Sequence, residues 1–158
     1  MKRIRYIAFI FGFLLIPNVV LSAQNTTKSI DHLFKIEQYQ GKVVYLDFWA
    51  SWCKPCRKSF PWMNQLQSQY SQDKLVIVAV NLDKDKSLAE NFLVKNPANF
   101  KIIYDPNGQL AKYYRIKGMP SSIIFDKKGK AIKGHSGFFE KNIEIYEQEI
   151  NHAINGDN

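Results

Sequence analysis

The pair of cysteines in this 158-residue sequence constrains the fold more than any other feature. Cys53 and Cys56 are the only cysteines, and two residues separate them. The largely apolar segment 43–48 before them is rich in β-branched and aromatic residues, which predicts a buried strand. The segment 59–70 after them carries apolar residues at helical spacing. A Cys-x-x-Cys pair between a strand and a helix predicts a thiol redox site, because a disulfide scaffold would need more cysteines.

The position of the pair at a predicted helix start explains why it would be reactive. The first sulfur would lie among free backbone N–H groups at the positive end of the helix dipole, which stabilises a thiolate. Cysteines in such motifs have pKa values lowered from about 8.5 to roughly 3.5–7.5. We therefore expect Cys53 to be the nucleophile and Cys56, one helical turn further along, to resolve the mixed disulfide. Pro55 suits the first helical turn. Lys54 adds electrostatic support for the thiolate, and the positive charges of Arg57 and Lys58 should also favour it.

Four features in the correct order resemble the active-site region of the thioredoxin superfamily. The segment 47–56, with the sequence DFWASWCKPC, is similar to the family's active-site motif. In that family a buried carboxylate six residues before the first cysteine relays protons to the resolving cysteine, and Asp47 occupies this position. Pro61 matches the proline that kinks the family's active-site helix. The segment 117–125 resembles the loop whose cis-proline faces the dithiol, so the resemblance implies that Pro120 is this cis-proline.

The resemblance also implies a surface for a partner chain. Trp52, adjacent to the first cysteine, is expected to shape the exposed rim where a partner docks. Met119 would present its backbone to an extended partner chain, and Pro120 would offer no N–H group next to the sulfurs. The residues alone leave a second interpretation open, in which Pro120 is an ordinary loop proline, because only about 5–6% of X-Pro bonds are cis. Asp47 could likewise be a solvated strand-end residue, although its neighbours in sequence are apolar.

The whole pattern predicts a thioredoxin-like α/β fold in which helices flank a central mixed β-sheet. The strand–helix–strand order over 43–80 implies parallel pairing. Residues 80–105 resemble the insertion of the TlpA/ResA-like branch, whose members are exported thiol–disulfide oxidoreductases. That branch usually begins with a β-hairpin, whereas residues 29–40 predict a short helix or an irregular segment. The further predicted elements are strands at 75–80, 101–104, 121–125 and 131–135 and helices at 87–95, 110–114 and 140–154. Helical spacing places Leu88, Asn91 and Phe92 near one face of the helix at 87–95, and aligns Ile143, Tyr146, Ile150 and Ile154 on the helix at 140–154. Tyr113 is expected in the core.

The N-terminal residues 1–23 predict a secretory signal peptide or a retained membrane anchor. Three basic residues near the start precede a densely apolar run, which is shorter than the ~20 residues that span a bilayer comfortably. Small residues then follow near position 23. Residues 24–158 would form one thioredoxin-like domain. We therefore expect a periplasmic or other extracytoplasmic location, with membrane contact only through the N-terminal anchor if it is retained.

Composition and charge argue against several other classes of function. The formal net charge is +8, and about +5 is left without the three basic residues at the start, spread without long basic blocks. The sequence has no aromatic-basic motif of a nucleic-acid reader, so no nucleic-acid partner is expected. A zinc site needs about four ligands, whereas His32, His135 and His152 are scattered without ligand spacing. Neither a metal nor a bound cofactor is expected.

The resemblance implies a thiol–disulfide oxidoreductase that reduces protein disulfides in the bacterial envelope. A membrane thiol–disulfide electron donor of the DsbD/CcdA type would regenerate its dithiol. Reduction of apocytochrome c thiols before haem attachment is a task that the same resemblance suggests. The Lys54-Pro55 pair does not determine the direction of electron flow, so an envelope disulfide oxidase or isomerase is the alternative. The third hypothesis is a non-catalytic domain that binds polypeptides in the groove beside the cis-proline.

Overall fold

The computed structural model describes residues 30–156, and the predicted signal peptide or anchor at 1–23 lies outside them. The strands are β1 (Val43–Trp49), β2 (Leu75–Asn81), β3 (Lys101–Tyr104), β4 (Ser121–Phe125) and β5 (Ala131–Ser136). The α-helices are α1 (Lys54–Gln69), α2 (Lys86–Lys95), α3 (Gln109–Tyr113) and α4 (Ile143–Asn155), and 3-10 helices cover Ile36–Tyr39 and Glu140–Asn142. Each predicted strand is confirmed, with ends that differ by at most one residue.

The five strands form one mixed sheet in the order β3-β2-β1-β4-β5. β1 and β2 pair in parallel, as do β2 and β3, which agrees with the crossover predicted from the strand–helix–strand order. β4 runs antiparallel to β1, and β5 runs antiparallel to β4. All seven residues of the central strand β1 are buried, which explains its nearly continuous apolar sequence. The predicted thioredoxin-like α/β fold with a central mixed sheet and flanking helices is confirmed.

The two faces of β1 belong to different core layers, because successive side chains of a strand point to opposite faces. Tyr45 and Trp49 are buried in one cluster with Cys53, Cys56 and the inner sides of α1 and α4. We call this cluster the dithiol layer. The other face of β1 packs against α3 and the N-terminal segment. Asp47 lies between Tyr45 and Trp49 in the alternation, so its side chain is directed into the dithiol layer.

The segment that precedes β1 contains a turn and a 3-10 helix but no strand between residues 30 and 42. Ile30 and Phe34 are buried on the face of the sheet opposite the dithiol layer. The chain then turns into β1 at Gly41, whose φ of 82° lies in the left-handed region that glycine adopts without strain. The expectation of a short helix or irregular segment, in place of a hairpin, is confirmed for the part that the structure describes.

Helix α2 lies in the insertion between β2 and β3, and its buried face differs from the expected one. The Asp85 side chain caps the helix by accepting a backbone hydrogen bond. Ala89 is buried, and Phe92 and Leu93 pack against the dithiol layer. Leu88, which helical spacing placed near the same face as Phe92, is 48% exposed. Residues four apart can both face a core, and here the aromatic contacts of Phe92 select which side of the helix is buried.

The C-terminal helix α4 packs on the dithiol layer. Tyr146, Ile150 and Ile154 are buried, as their spacing predicted. The indole Nε1 of Trp62 in α1 donates a hydrogen bond of 3.0 Å to Glu147, which links the two helices that cover this face. Within residues 30–156, none of the helices combines the length and the apolar character needed to cross a membrane.

Candidate active site

The two cysteines lie where β1 leads into α1. Cys53 is the N-cap residue of the helix, and its sulfur accepts a hydrogen bond of 3.3 Å from the backbone N–H of Cys56. The two sulfurs are joined in a disulfide. Cys53 retains slight exposure at 5%, whereas Cys56 is completely buried. After reduction, the Cys53 sulfur is therefore the one that solvent can reach, and the N–H groups of the first turn would stabilise its thiolate.

Asp47 is a buried carboxylate in the same layer as the dithiol. Only 2% of the residue is exposed, and its Oδ2 has no hydrogen-bond partner among the described residues. Burial raises the pKa of Asp47 from its ordinary value of 3.8 to about 7, because the charged form is poorly solvated there. A carboxyl group with a pKa near neutrality can both accept and release a proton at neutral pH, as a general base must.

A second loop lies at the start of β4. The Met119–Pro120 peptide bond is cis, as the resemblance implied. The Pro120 carbonyl accepts a backbone hydrogen bond of 2.7 Å from Gly137, and the Ser121 hydroxyl donates one of 2.8 Å to the Gly118 carbonyl. Met119 is half-buried and packs against the dithiol layer. These bonds tie the loop to the sheet and bring it to the edge of the layer that contains the cysteines.

The side chains around the motif divide into packed and exposed groups. Trp49 is completely buried and contacts Phe60 with ring centroids 4.6 Å apart, so it belongs to the core. Trp52 is 67% exposed. Lys54 is exposed beside the first cysteine. Lys58, whose charge was also expected to favour the thiolate, forms an ion pair of 2.9 Å with Glu140.

Sequence reasoning missed a buried carboxylate that shapes the loop before the cysteines. Asp83 is 1% exposed. One of its oxygens accepts from the backbone N–H of Ser51 at 2.9 Å and from the Asn81 side chain at 2.7 Å, and the other accepts from the Ser51 hydroxyl at 3.0 Å. The bonds fasten residue 51 of the active-site loop to the end of β2. The only available signal was the Asn-Leu-Asp sequence that follows a buried strand.

No group of three or more histidine, cysteine, aspartate or glutamate side chains within residues 30–156 is arranged to hold a metal ion. The chemistry available at the site is that of two sulfurs and one buried carboxyl group. A mixed sheet, a Cys-x-x-Cys pair that caps a helix and a cis-proline loop together define the class: a thioredoxin-like thiol–disulfide oxidoreductase.

Comparison with known proteins places the chain within this class. Residues 15–150 match the Redoxin family. The chain is 34% identical over 121 residues to the thiol–disulfide oxidoreductase ResA of Bacillus thuringiensis, covering 77% of this chain and 67% of the relative. The chain thus spans about two thirds of the length of such ResA relatives.

Two solved structures are similar in both sequence and fold. One, from Chlorobium tepidum, is assigned as a thiol:disulfide interchange protein DsbE. It is 48% identical with a TM-score of 0.74, over 77% of this chain and 86% of that one. The other is an exposed lipoprotein thioredoxin from Streptococcus pneumoniae, 30% identical with a TM-score of 0.63, over 75% and 90% of the two chains. The chain belongs to the Redoxin family of the thioredoxin superfamily and is a TlpA/ResA-like thiol–disulfide oxidoreductase.

Proposed function

We propose that the protein reduces disulfide bonds of exported proteins, with Cys53 as nucleophile, Cys56 as resolving thiol and Asp47 as the acceptor of the Cys56 proton. The observation that carries the proposal is a buried carboxyl group, with a pKa of about 7, in the same core layer as a completely buried second cysteine. A buried thiol needs a base that can take its proton before it can attack, and solvent cannot serve because Cys56 is covered.

The reaction cycle transfers two electrons from the dithiol to the client. The Cys53 thiolate attacks one sulfur of the client disulfide, which forms a mixed disulfide and releases the other client sulfur as a thiolate. Cys56 gives its proton to Asp47 and then attacks the Cys53 sulfur. This step breaks the mixed disulfide, releases the second client sulfur and forms the Cys53–Cys56 disulfide. The disulfide in the structure corresponds to the end of this cycle.

The client would dock on the surface around the more exposed sulfur. Trp52 offers a large exposed apolar side chain next to Cys53. The loop of Met119 and Pro120 lies at the edge of the dithiol layer, and Pro120 has no backbone N–H that would need a partner near the sulfurs. Lys54 adds positive charge beside the thiolate. These residues form the substrate-binding part of the proposal.

Location and partners rest on the N-terminal sequence and on the relatives. We assign residues 1–23 to a signal peptide or membrane anchor and 24–158 to the thioredoxin-like domain, which places the dithiol outside the cytoplasm, in the periplasm or its equivalent. The exposed lipoprotein thioredoxin of Streptococcus pneumoniae supports such a location. A membrane donor of the DsbD/CcdA type would reduce the disulfide again. The ResA and DsbE relatives support thiol–disulfide exchange. Cytochrome c maturation, which the family resemblance suggests, is the task that we propose for it.

Two measurements test the proposal. The first is the equilibrium redox potential of the pair. A value near about −270 mV, as in thioredoxin, supports a reductase, whereas a value near about −120 mV would identify an oxidant and overturn the proposed direction. The second is insulin reduction with dithiothreitol as electron donor. We expect Cys53→Ser to abolish catalysis. If the wild-type protein binds unfolded chains but reduces no insulin, the non-catalytic binding domain is the better explanation.

A pair of variants tests the docking surface. Trp52→Ala removes the exposed indole beside the sulfur, and we expect KM for insulin to rise several-fold while kcat changes little. Val94→Ala is the matched control, because Val94 is also a large exposed apolar residue (83%) but lies on α2. Equal effects of the two substitutions would refute the assignment of Trp52 to client binding.

A further inference from the structure

A row of polar side chains crosses the sheet from Asp47 to its edge. In the register of the sheet, Asp47 of β1 lies directly opposite Ser122 of β4, and Ser122 lies directly opposite His135 of β5. Side chains of directly opposed residues in an antiparallel pair project from the same face, with Cβ atoms about 4.5–5.5 Å apart. All three side chains therefore lie on the face of the sheet that the dithiol layer covers. The row begins at a buried residue and ends on the edge strand.

Hydrogen bonds continue the row toward solvent. The Ser122 hydroxyl lies 3.3 Å from Nδ1 of His135, and Nε2 of His135 lies 2.8 Å from Glu149 of α4. The other oxygen of Glu149 pairs with Lys133 at 3.2 Å. Side-chain exposure increases along this path: Ser122 is a buried residue, the His135 and Glu149 side chains are 18% and 20% exposed, and the Lys133 side chain is 55% exposed. The row is thus hydrogen-bonded from Ser122 to the surface.

Three elements, β1, α4 and α1, contribute titratable groups to the surroundings of Asp47. Tyr45 is its neighbour on the same face of β1. Burial raises the pKa of Tyr45, the charge of Asp47 raises it further, and a hydrogen bond with Ser122 opposes the rise. Tyr146 and Glu149 of α4 also act on Tyr45. From α1 the buried resolving cysteine shares the layer. The Tyr146 ring packs against the His135 imidazole with centroids 4.8 Å apart, which holds the imidazole in place.

We propose that Ser122, His135 and Glu149 form the route by which the Asp47 carboxyl group exchanges its proton with solvent. The inference rests on the proposed role of Asp47 and extends it. A carboxyl group that takes a proton from the resolving cysteine must lose this proton before the next turnover, yet Asp47 itself has almost no contact with water. The row of opposed side chains is a path from this group to a partly exposed acid–base pair.

One proton moves in each passage along the row. The Ser122 hydroxyl receives the Asp47 proton, directly or through one water molecule, and donates its own proton to Nδ1 of His135. Nε2 of His135 gives a proton to Glu149, and Glu149 releases it to solvent. Asp47 ends as a carboxylate, Ser122 and Glu149 return to their starting forms, and the imidazole carries its proton on the other nitrogen. Exchange at the partly exposed imidazole restores the first tautomer.

The test measures the resolving step in a single turnover. Reduced full-length protein is mixed with a synthetic peptide that contains one intramolecular disulfide. Acid quenching and mass spectrometry then follow the mixed disulfide, from about pH 6 to about pH 8. In the wild-type protein, proton exchange at Asp47 is fast, so we expect one phase whose rate rises with pH. When exchange is slow, molecules with a protonated Asp47 cannot resolve the mixed disulfide until Asp47 has lost its proton. A second phase, at least about tenfold slower, then appears, and its amplitude falls as pH rises through about 7.

Two variants of Ser122 form a matched pair. Thr and Val have nearly the same shape but differ in the hydroxyl group, so any packing strain is common to both. We expect Ser122→Val to show the slow phase and Ser122→Thr to show little of it. His135→Gln changes a partly exposed residue and should also show the slow phase. Ser136→Ala is the control, because Ser136 is exposed on the same strand and should behave as the wild-type protein.

The outcomes separate the relay from the proposed function. If Asp47→Asn slows the resolving step but Ser122→Val and His135→Gln retain a single phase at the wild-type rate, Asp47 exchanges its proton by another path and the relay is refuted. If Asp47→Asn itself leaves the resolving step unchanged, the proposed role of Asp47 fails first. A slow phase of constant amplitude at all pH values would point to a structural effect of the substitutions and would also overturn the relay.

Discussion

Asp47→Asn tests the central electrostatic feature of the site through protein stability. The pKa of this carboxyl group is about 7 in the folded protein and near its ordinary value of 3.8 in the unfolded chain. From about pH 4 to about pH 7 the folded protein retains the proton while the unfolded chain releases it, so the free energy of unfolding falls as pH rises through this window. Stability contributed by the neutral carboxyl group is complete below about pH 4 and is lost above about pH 7.

The size of the effect follows from the difference in pKa. A difference of about three pH units, at about 1.4 kcal/mol for each, corresponds to about 4 kcal/mol of stability in all. More than half of this loss falls between about pH 5 and about pH 8. An asparagine side chain cannot ionise, so the Asp47→Asn protein should lack this pH dependence. Relative to the wild-type protein, the variant should become more stable by roughly 3 kcal/mol between those two pH values.

The measurement is guanidinium unfolding of both proteins in the disulfide form at several pH values. The disulfide form is used because cysteines joined in a disulfide do not titrate, so they add nothing to the pH dependence of stability. Asp73→Asn is the control for removing a carboxylate, since the Asp73 side chain is 92% exposed and its only recorded partner within residues 30–156 is Lys42 at 3.6 Å. A difference between the wild-type protein and the Asp47→Asn variant that stays constant from pH 5 to pH 8, within about 0.5 kcal/mol, would refute the reasoning.

Three further substitutions test other parts of the structure. Asp83→Ala removes the acceptor of the Ser51 and Asn81 hydrogen bonds. We expect a loss of about 3 kcal/mol of stability in chemical denaturation and slower alkylation of reduced Cys53. An unchanged alkylation rate would show that the loop keeps its shape without the carboxylate. Asp105→Ala removes the acceptor of three backbone N–H groups at the start of α3 and should lower the free energy of unfolding by about 2 kcal/mol. Asp105→Asn should lower it less. Equal losses in the two variants would contradict a capping role for the Asp105 side chain. Ile150→Ala opens a cavity beneath α4 and should lower stability by about 3 kcal/mol; a loss below about 1 kcal/mol would mean that the helix collapses onto the sheet.

Local patterns in the sequence were sufficient to predict the sheet and the positions of the cysteines. The apolar runs of β1 and β2 are long and uninterrupted, and a strand–helix–strand order permits few topologies, so the parallel pairing followed. The cis state of the bond before Pro120 came from the family resemblance, because residues alone favour a trans bond. These features depend on interactions within one element or on a motif of a few neighbouring residues.

The sequence-based predictions of burial were wrong where tertiary contacts determine which of two locally equivalent residues is buried. Tyr113 was expected in the core but is 41% exposed, whereas its neighbour Tyr114 packs its ring against Phe125 at 5.8 Å. Two adjacent tyrosines on a short helix carry no local signal that distinguishes the buried one. Leu88 on α2 was misplaced for the same reason. Helix spacing fixes which residues share a face, but only the neighbouring elements determine which face is covered.

The polar contacts missed by sequence reasoning join residues that are distant in the chain. Ser51 and Asp83 are 32 residues apart, and His135 reaches Ser122 only through the register of the β4–β5 hairpin. His135 was considered only as a metal ligand, and its spacing from other histidines gave no indication of a carboxylate partner on α4. Strand register and helix placement have to be known before such pairs can be recognised, because polar residues at these positions are locally compatible with an exposed surface as well.

The position of Asp47 is difficult to explain by stability alone. Its neighbours on the same face of β1 are aromatic, it lies opposite Ala79 of β2, and its Oδ2 has no partner among residues 30–156. An uncharged side chain would avoid the cost of burying the carboxylate. The two assays on Asp47→Asn should therefore move in opposite directions: the variant becomes relatively more stable as pH rises to about 8, while its resolving step becomes slower. A residue needed only for the fold would lose stability and activity together, so a variant that is slower, and whose stability relative to the wild-type protein does not rise with pH, would remove the argument for a catalytic carboxylate.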